Sequence, residues 1–140
     1  MAPPFEAAQI TVIYTLVYSV TLFIQVYMKK KLYKKAKQQG KPYDRYTSPQ
    51  MLSYDRLNAN FREWTLPFLG PLWSLALTEK LTIRSIWAAW IYVGLRTLYI
   101  GLVCQYGVSK IGYNSPLWIS TLPAYLCLLY LVVVGVLGVF

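Results

Sequence analysis

Four apolar stretches alternate with polar segments along the chain, and their lengths predict four helices. Ile10 to Met28 carries no charge and is rich in β-branched and aromatic residues. It matches the roughly 20 residues that a membrane-spanning helix needs. A polar connector follows over 29–53, in which Gly40, Lys41 and Pro42 break the helix. Ser48-Pro49 is a helix start, with Ser as the cap and Pro in the first turn. The second helix is predicted from Pro49 to Leu77, with its span over about 56–77. Only Trp64 to Leu77 is apolar throughout, so the first half must be shielded or protrude. Pro67 and Pro71 lie inside it, and each removes a backbone hydrogen bond that neighbouring helices must compensate. After a short turn over Thr78 to Arg84, the third helix is predicted over about 85–106. Gly107 to Pro116 connects it to an uncharged fourth span, 117–140. Short links between consecutive spans imply antiparallel neighbours. The pattern predicts an all-α membrane protein, a four-transmembrane-helix up-down bundle forming a single domain over 1–140.

Composition agrees with this class. Of 140 residues, 56% are hydrophobic, and mean hydropathy is +0.39. Much of the content of thirteen Tyr and five Trp suits the headgroup level, where such rings present one apolar and one wet end. The net charge of +9 is uneven, with eight of the fourteen basic residues falling between Lys29 and Arg45. A basic run directly after a span marks the cytoplasmic side. That places the 29–53 connector in the cytoplasm, next to anionic lipid heads, and the N-terminus on the lumenal side. Nucleic acid is not the expected partner. The absence of His removes Ser-His-Asp and Cys-His catalysis and His-ligated metal from the candidates, and no metal site is expected. Cys104 and Cys127 lie in apolar stretches and read as small buried hydrophobes. No cleaved signal peptide is expected, since Met1 to Ala8 has no basic segment.

Charges inside spans change the picture. Insertion of a charged side chain at bilayer depth costs about 2.5–3.5 kcal/mol, so such residues normally face the bundle interior and have a partner. At 100° per residue, Arg56, Asn60, Glu63 and Pro67 share one narrow face of the second helix. Arg96, Tyr99, Val103 and Lys110 share one face of the third. The two stripes can face each other. Two readings stand. In the structural one, Glu63 and Arg96 neutralise each other and Asn60 makes an interhelical hydrogen bond. In the functional one, the stripes hold a small zwitterionic ligand: Arg and Lys for carboxylates, Glu for an ammonium, Asn for a peptide amide, Tyr for a hydroxyl. Glutathione carries that set of groups. Gly94 with Gly101, Gly135 with Gly138, and Tyr14 with Tyr18 read as packing positions.

The run Arg56-Leu57-Asn58-Ala59-Asn60-Phe61-Arg62-Glu63-Trp64-Thr65-Leu66-Pro67 resembles the signature of the MAPEG family, the membrane-associated proteins of eicosanoid and glutathione metabolism. The likeness is to its microsomal glutathione transferase and leukotriene-C synthase branch. Arg56, Asn60 and Glu63 match the family spacing, and Trp64 stands where leukotriene-C synthases have Tyr. Pro67 comes one residue later than in many members. Arg96-Thr97-Leu98-Tyr99 resembles the family's Arg-x-x-Tyr segment. The resemblance implies a homotrimer with glutathione, as co-substrate, at the cytoplasmic end of a subunit interface beside a lipid-accessible cleft. It implies Arg56, Asn60, Glu63, Trp64 and Tyr99 as glutathione-binding residues, with Arg96 anchoring the network by pairing with a carboxylate. Val103 departs from the second Tyr of many members. The family's thiolate-stabilising Arg corresponds to Lys110 when counted from Tyr99, or to Asn114 when aligned on an Arg-Ser pair before the fourth helix.

The implied activity is a membrane-bound glutathione transferase or peroxidase acting on lipophilic electrophiles, with Lys110 as the catalytic thiolate stabiliser. The alternative is a non-catalytic MAPEG-like subunit of a larger assembly with other membrane subunits. A channel or transporter is the weakest option, because no pair of broken helices is visible. The expected location is the endoplasmic reticulum or another organelle membrane.

Overall fold

The computed structural model describes residues 3–107 and 116–139. They form four helices and no strand: α1 Pro3–Gln38, α2 Pro49–Leu77, α3 Ile83–Tyr106 and α4 Trp118–Val139. α1, α3 and α4 are long and apolar enough to cross a membrane, whereas α2, with its charged first half, is not by that measure. The four-helix membrane fold expected from the pattern is present.

The main difference lies in α1. The basic run was expected in the 29–53 connector, yet Lys29 to Lys37 continue the helix to Gln38. Lys, Leu, Ala and Gln are good helix formers, and no breaker precedes Gly40. At about 1.5 Å per residue, 36 residues reach roughly 54 Å, well beyond a hydrocarbon core of about 30 Å. The charged end therefore projects past the apolar slab. Gly40 stops it at a positive φ of 62°, with Lys41 N–H donating to the Ala36 carbonyl at 3.0 Å and Gly40 N–H to that of Lys37 at 3.2 Å. Residues 49–53, at the end of the connector, form the start of α2, in line with the helix expected from Pro49.

α2 starts as expected, with the Ser48 hydroxyl accepting from Met51 N–H and Pro49 at the first position. It remains helical through Pro67 and Pro71. It ends in a left-handed turn at Glu79, φ 59°, where Lys80 N–H donates to the Leu75 carbonyl and Glu79 N–H to that of Ala76. Thr82 caps α3 by accepting from Ser85 N–H at 3.2 Å.

α2 and α3 each pack against all three other helices, while α1 and α4 do not touch among the described residues. A ladder of polar contacts joins α1 to α2. Trp73 Nε1 donates to Thr11 Oγ1 at 3.0 Å, Tyr14 meets Thr65 Oγ1 at 3.1 Å, Thr21 pairs with Asn58, and Gln25 donates to Asp55. Positions rise on α1 as they fall on α2, as antiparallel neighbours require. Between these rungs sits an aromatic core: Phe68 stacks on Tyr92 at 4.3 Å and lies 5.0 Å from Tyr14. Tyr14 is thus a core residue, and Tyr18 stacks on Phe61 at 5.9 Å. Cys127 is half-buried, but Cys104 is exposed, contrary to its reading as a buried hydrophobe; it sits near the end of α3, off the packed face.

Candidate functional site

The α2 stripe keeps its shared face, but that face turns outward. Met51, Leu57, Asn58, Phe61 and Phe68 fill the inward side of α2, which leaves Arg56 and Glu63 exposed. Asn60 is half-buried, and its side-chain oxygen is enclosed without a hydrogen-bond partner among the described residues. Trp64 is half-buried and leans on Tyr125 of α4 at 4.8 Å, so it links α2 to α4.

The α3 stripe turns inward. Arg96 is 1% exposed and Tyr99 7%. The Arg96 guanidinium lies over the Phe61 ring at 4.3 Å, with Tyr99 at 5.3 Å and Tyr92 at 5.9 Å. These contacts offer the cation the negative faces of three rings. They do not use its N–H groups, and Nε and one terminal nitrogen are enclosed with no acceptor among the described residues. Glu63 does not supply one: Arg45 with Asp55, at 2.9 Å, is the ion pair formed among the described residues. The neutralising Glu63–Arg96 pair is therefore not formed within one chain. Nor do the two stripes meet across a shared pocket in a single protomer, since one faces out and the other in. Lys110 and Asn114 both lie outside the described residues.

What these residues can do follows from their state. Arg56 and Glu63 offer opposite charges on an open face. Arg96 covers the inward ring of Phe61, whereas Asn60 belongs to the outward stripe of α2. Two donors and one acceptor are left without partners in a low-dielectric surrounding, where an unmade hydrogen bond costs about 1–3 kcal/mol. A carboxylate would satisfy the guanidinium bidentately.

Sequence reasoning missed two polar groups. Asn58, two residues from the Asn60 of the stripe, is buried and exchanges hydrogen bonds with Thr21, its Nδ2 donating to the Thr21 carbonyl at 3.5 Å. Asp55 gathers Gln25 and Arg45, fastening the connector to both α1 and α2, and it holds the Arg45 guanidinium above its ordinary pKa. The signal for both was helical spacing: Asn58 shares a face with Met51 and Phe61, not with Arg56.

A helical membrane bundle with charged and amide groups on the open face of its second helix, and a caged arginine on its third, defines a small polytopic protein with an intramembrane polar site. The family model for the MAPEG family matches residues 7–134, nearly the whole length, and the chain belongs to that family. No curated protein and no solved structure is detectably similar to the chain.

Proposed function

We propose that this protein is a membrane-bound glutathione transferase or peroxidase for lipophilic electrophiles, and that its site is completed between copies of the chain in a homotrimer. The observation that carries the proposal is the outward Arg56–Glu63 face of α2, with an Asn60 oxygen on the same face that has no partner among the described residues. Charges on an open helix face in a membrane protein call for a second polar surface to cover them. Family membership supports the choice of ligand, since the MAPEG family includes glutathione transferases, peroxidases and related synthases.

In this reading Arg56 and Arg96 bind the two carboxylates of glutathione, Glu63 its ammonium and Asn60 a peptide amide, with Tyr99 adding a hydroxyl. Trp64 packs beside them. Glutathione supplies the thiol that reacts, so the protein needs no nucleophile of its own. Lys110 holds the sulfur in its thiolate form by charge, and the lipophilic partner arrives through the bilayer. The same reading puts the charged end of α1 in the cytosol, against the anionic headgroups of an endoplasmic reticulum or other organelle membrane.

Isothermal titration of the detergent-purified protein with glutathione tests this. Saturable binding at or below millimolar ligand, lost in Arg56→Ala and in Glu63→Gln, is the expected result. No heat of binding at millimolar glutathione defeats the proposal.

A second reading, a non-catalytic subunit of a larger membrane assembly, is favoured by one position. Val103 is buried where many members carry a second tyrosine, so the third helix offers one fewer hydroxyl. Purification in mild detergent with stoichiometric unrelated membrane proteins would favour this reading.

A further inference from the structure

Where α1 leaves the apolar slab, α1, α2 and α3 enclose a cavity of about 440 Å³. It contains none of Arg56, Asn60, Glu63 or Pro67, and lies toward the N-terminal end of α2 from them. Its wall is of two kinds. Met28, Leu32 and Val103 are apolar, while Lys31, Lys35 and Gln50 are polar. Lys31 and Lys35 stand four apart on α1 and so share one face. No carboxylate lines the cavity, and among the described residues neither lysine forms an ion pair. Among the described residues, the Lys31 ammonium lies 6.0 Å from the centre of the Tyr27 ring. Gln50 belongs to the first turn of α2, and that turn carries no acidic side chain to offset the positive helix end. The last turn of α3 closes the remaining side with its carbonyl groups. That negative end is equivalent to about half a charge, against two full lysine charges and the α2 terminus. The cavity is net cationic.

Depth narrows the occupant. Met28 ends the uncharged stretch of α1 and Lys29 opens the basic run, so the cavity straddles the level where hydrocarbon gives way to headgroups. A space that is cationic on its outer side and apolar on its inner side, at that depth, matches an amphiphile with a phosphate. A free phosphate would leave Met28, Leu32 and Val103 without a partner. A zwitterionic lipid would bring its own cation against the lysines. We propose that this cavity is a binding site for an anionic phospholipid, its phosphate held by Lys31 and Lys35 and the root of its acyl chains lying on Met28, Leu32 and Val103. The cavity shares Val103 with the α3 stripe but takes none of the residues proposed to hold glutathione, so loss of lipid retention in the lysine variants and loss of glutathione binding in Arg56→Ala are separate readouts.

The proposal differs from diffuse attraction by a basic helix, because Lys30 and Lys34 sit on the same helix and do not line the cavity. That difference is the test. The full-length protein is purified in mild detergent and incubated with dioleoyl phosphatidic acid, dioleoyl phosphatidylcholine or soluble glycerol phosphate. Retained adducts are then counted by native mass spectrometry. The wild type is expected to retain phosphatidic acid about tenfold more than phosphatidylcholine. Lys31→Gln/Lys35→Gln should abolish that preference, and Lys30→Gln/Lys34→Gln should leave it intact. Equal losses in the two double variants, or equal retention of both lipids by the wild type, would overturn the proposal. So would glycerol phosphate displacing the lipid at equal concentration, since the site would then read the phosphate alone. Each substitution lies at an exposed position, and unchanged helicity by circular dichroism verifies that the variants fold.

Discussion

Arg96 carries its charge into a cage of three rings and finds no carboxylate there. Two roles are separable at this residue. If the guanidinium serves packing alone, replacing it by an apolar side chain of similar length is near neutral, because the cost of burying the charge disappears together with its ring contacts. If it serves a carboxylate ligand, the same change removes the anchor. Arg96→Met is therefore expected to leave the melting temperature in detergent within a few degrees of wild type, while glutathione affinity falls at least about tenfold. Unchanged glutathione affinity in Arg96→Met would assign the guanidinium to packing alone. Asn58 is the contrasting case. Asn58→Leu removes the bonds to Thr21, whose hydroxyl keeps the Tyr18 carbonyl as acceptor, and should cost about 0.6 kcal/mol, the average for an interhelical hydrogen bond in a membrane, with glutathione binding unchanged. The two asparagines also mark what could be read from the chain. Spacing put Arg56, Asn60 and Glu63 on one face and put Asn58 elsewhere. It did not say which face turns in. In a membrane helix apolar residues lie on every side, so periodicity no longer separates core from surroundings.

At the scale of elements, helix existence was legible and helix contacts were not. Four apolar runs announced four helices, and the Ser48-Pro49 start fell where expected. The lysine run reads as connector from its charge, yet it extends α1, because the cations lie toward the helix C-terminus, where the dipole offsets their mutual repulsion, and Gly40 is the first true stop. Glycines show the same limit. Gly94 and Gly101 face open space within the protomer, whereas a Cβ on Gly135 would meet the Pro71 Cβ at 2.9 Å and its Cα at 3.2 Å. Pro71 is rigid and backbone-bound, so it cannot yield. Gly135→Ala should push α4 from α2 and destabilise the bundle by about 1–3 kcal/mol. Gly94→Ala should be neutral or slightly stabilising through its better helix propensity. Thermal melts of the purified proteins compare the two. The opposite order would show that the α2–α4 approach is looser than the structure has it. The α2–α3 turn offers a gain. Glu79 holds a positive φ that disfavours any side chain. Glu79→Gly is expected to raise stability by up to about 1 kcal/mol, and a fall would mean the Glu79 side chain has a role of its own.

The molecule as a whole leaves apolar surface and polar site on the same outside. Phe23, Leu66, Leu77 and Leu137 are among the large apolar side chains open to the surroundings, as lipid or a second chain requires. Lipid can cover those residues but not Arg56 and Glu63, whose exposure in hydrocarbon would be penalised. On the proposed reading one protomer presents half of a site, and among the described residues the Arg96 nitrogens and the Asn60 oxygen have no hydrogen-bond partner. If the other half comes from a copy of the same chain, glutathione binding and assembly are linked: a ligand that binds the assembled form favours assembly by mass action. Light scattering of the detergent complex, corrected for bound detergent, should give a protein mass three times the 16.1 kDa of the chain. Dilution in harsher detergent should dissociate it, and saturating glutathione should shift dissociation to lower protein concentration. A monomer that binds glutathione as tightly as the assembled protein would break that link, since the exposed face of α2 would then be sufficient alone.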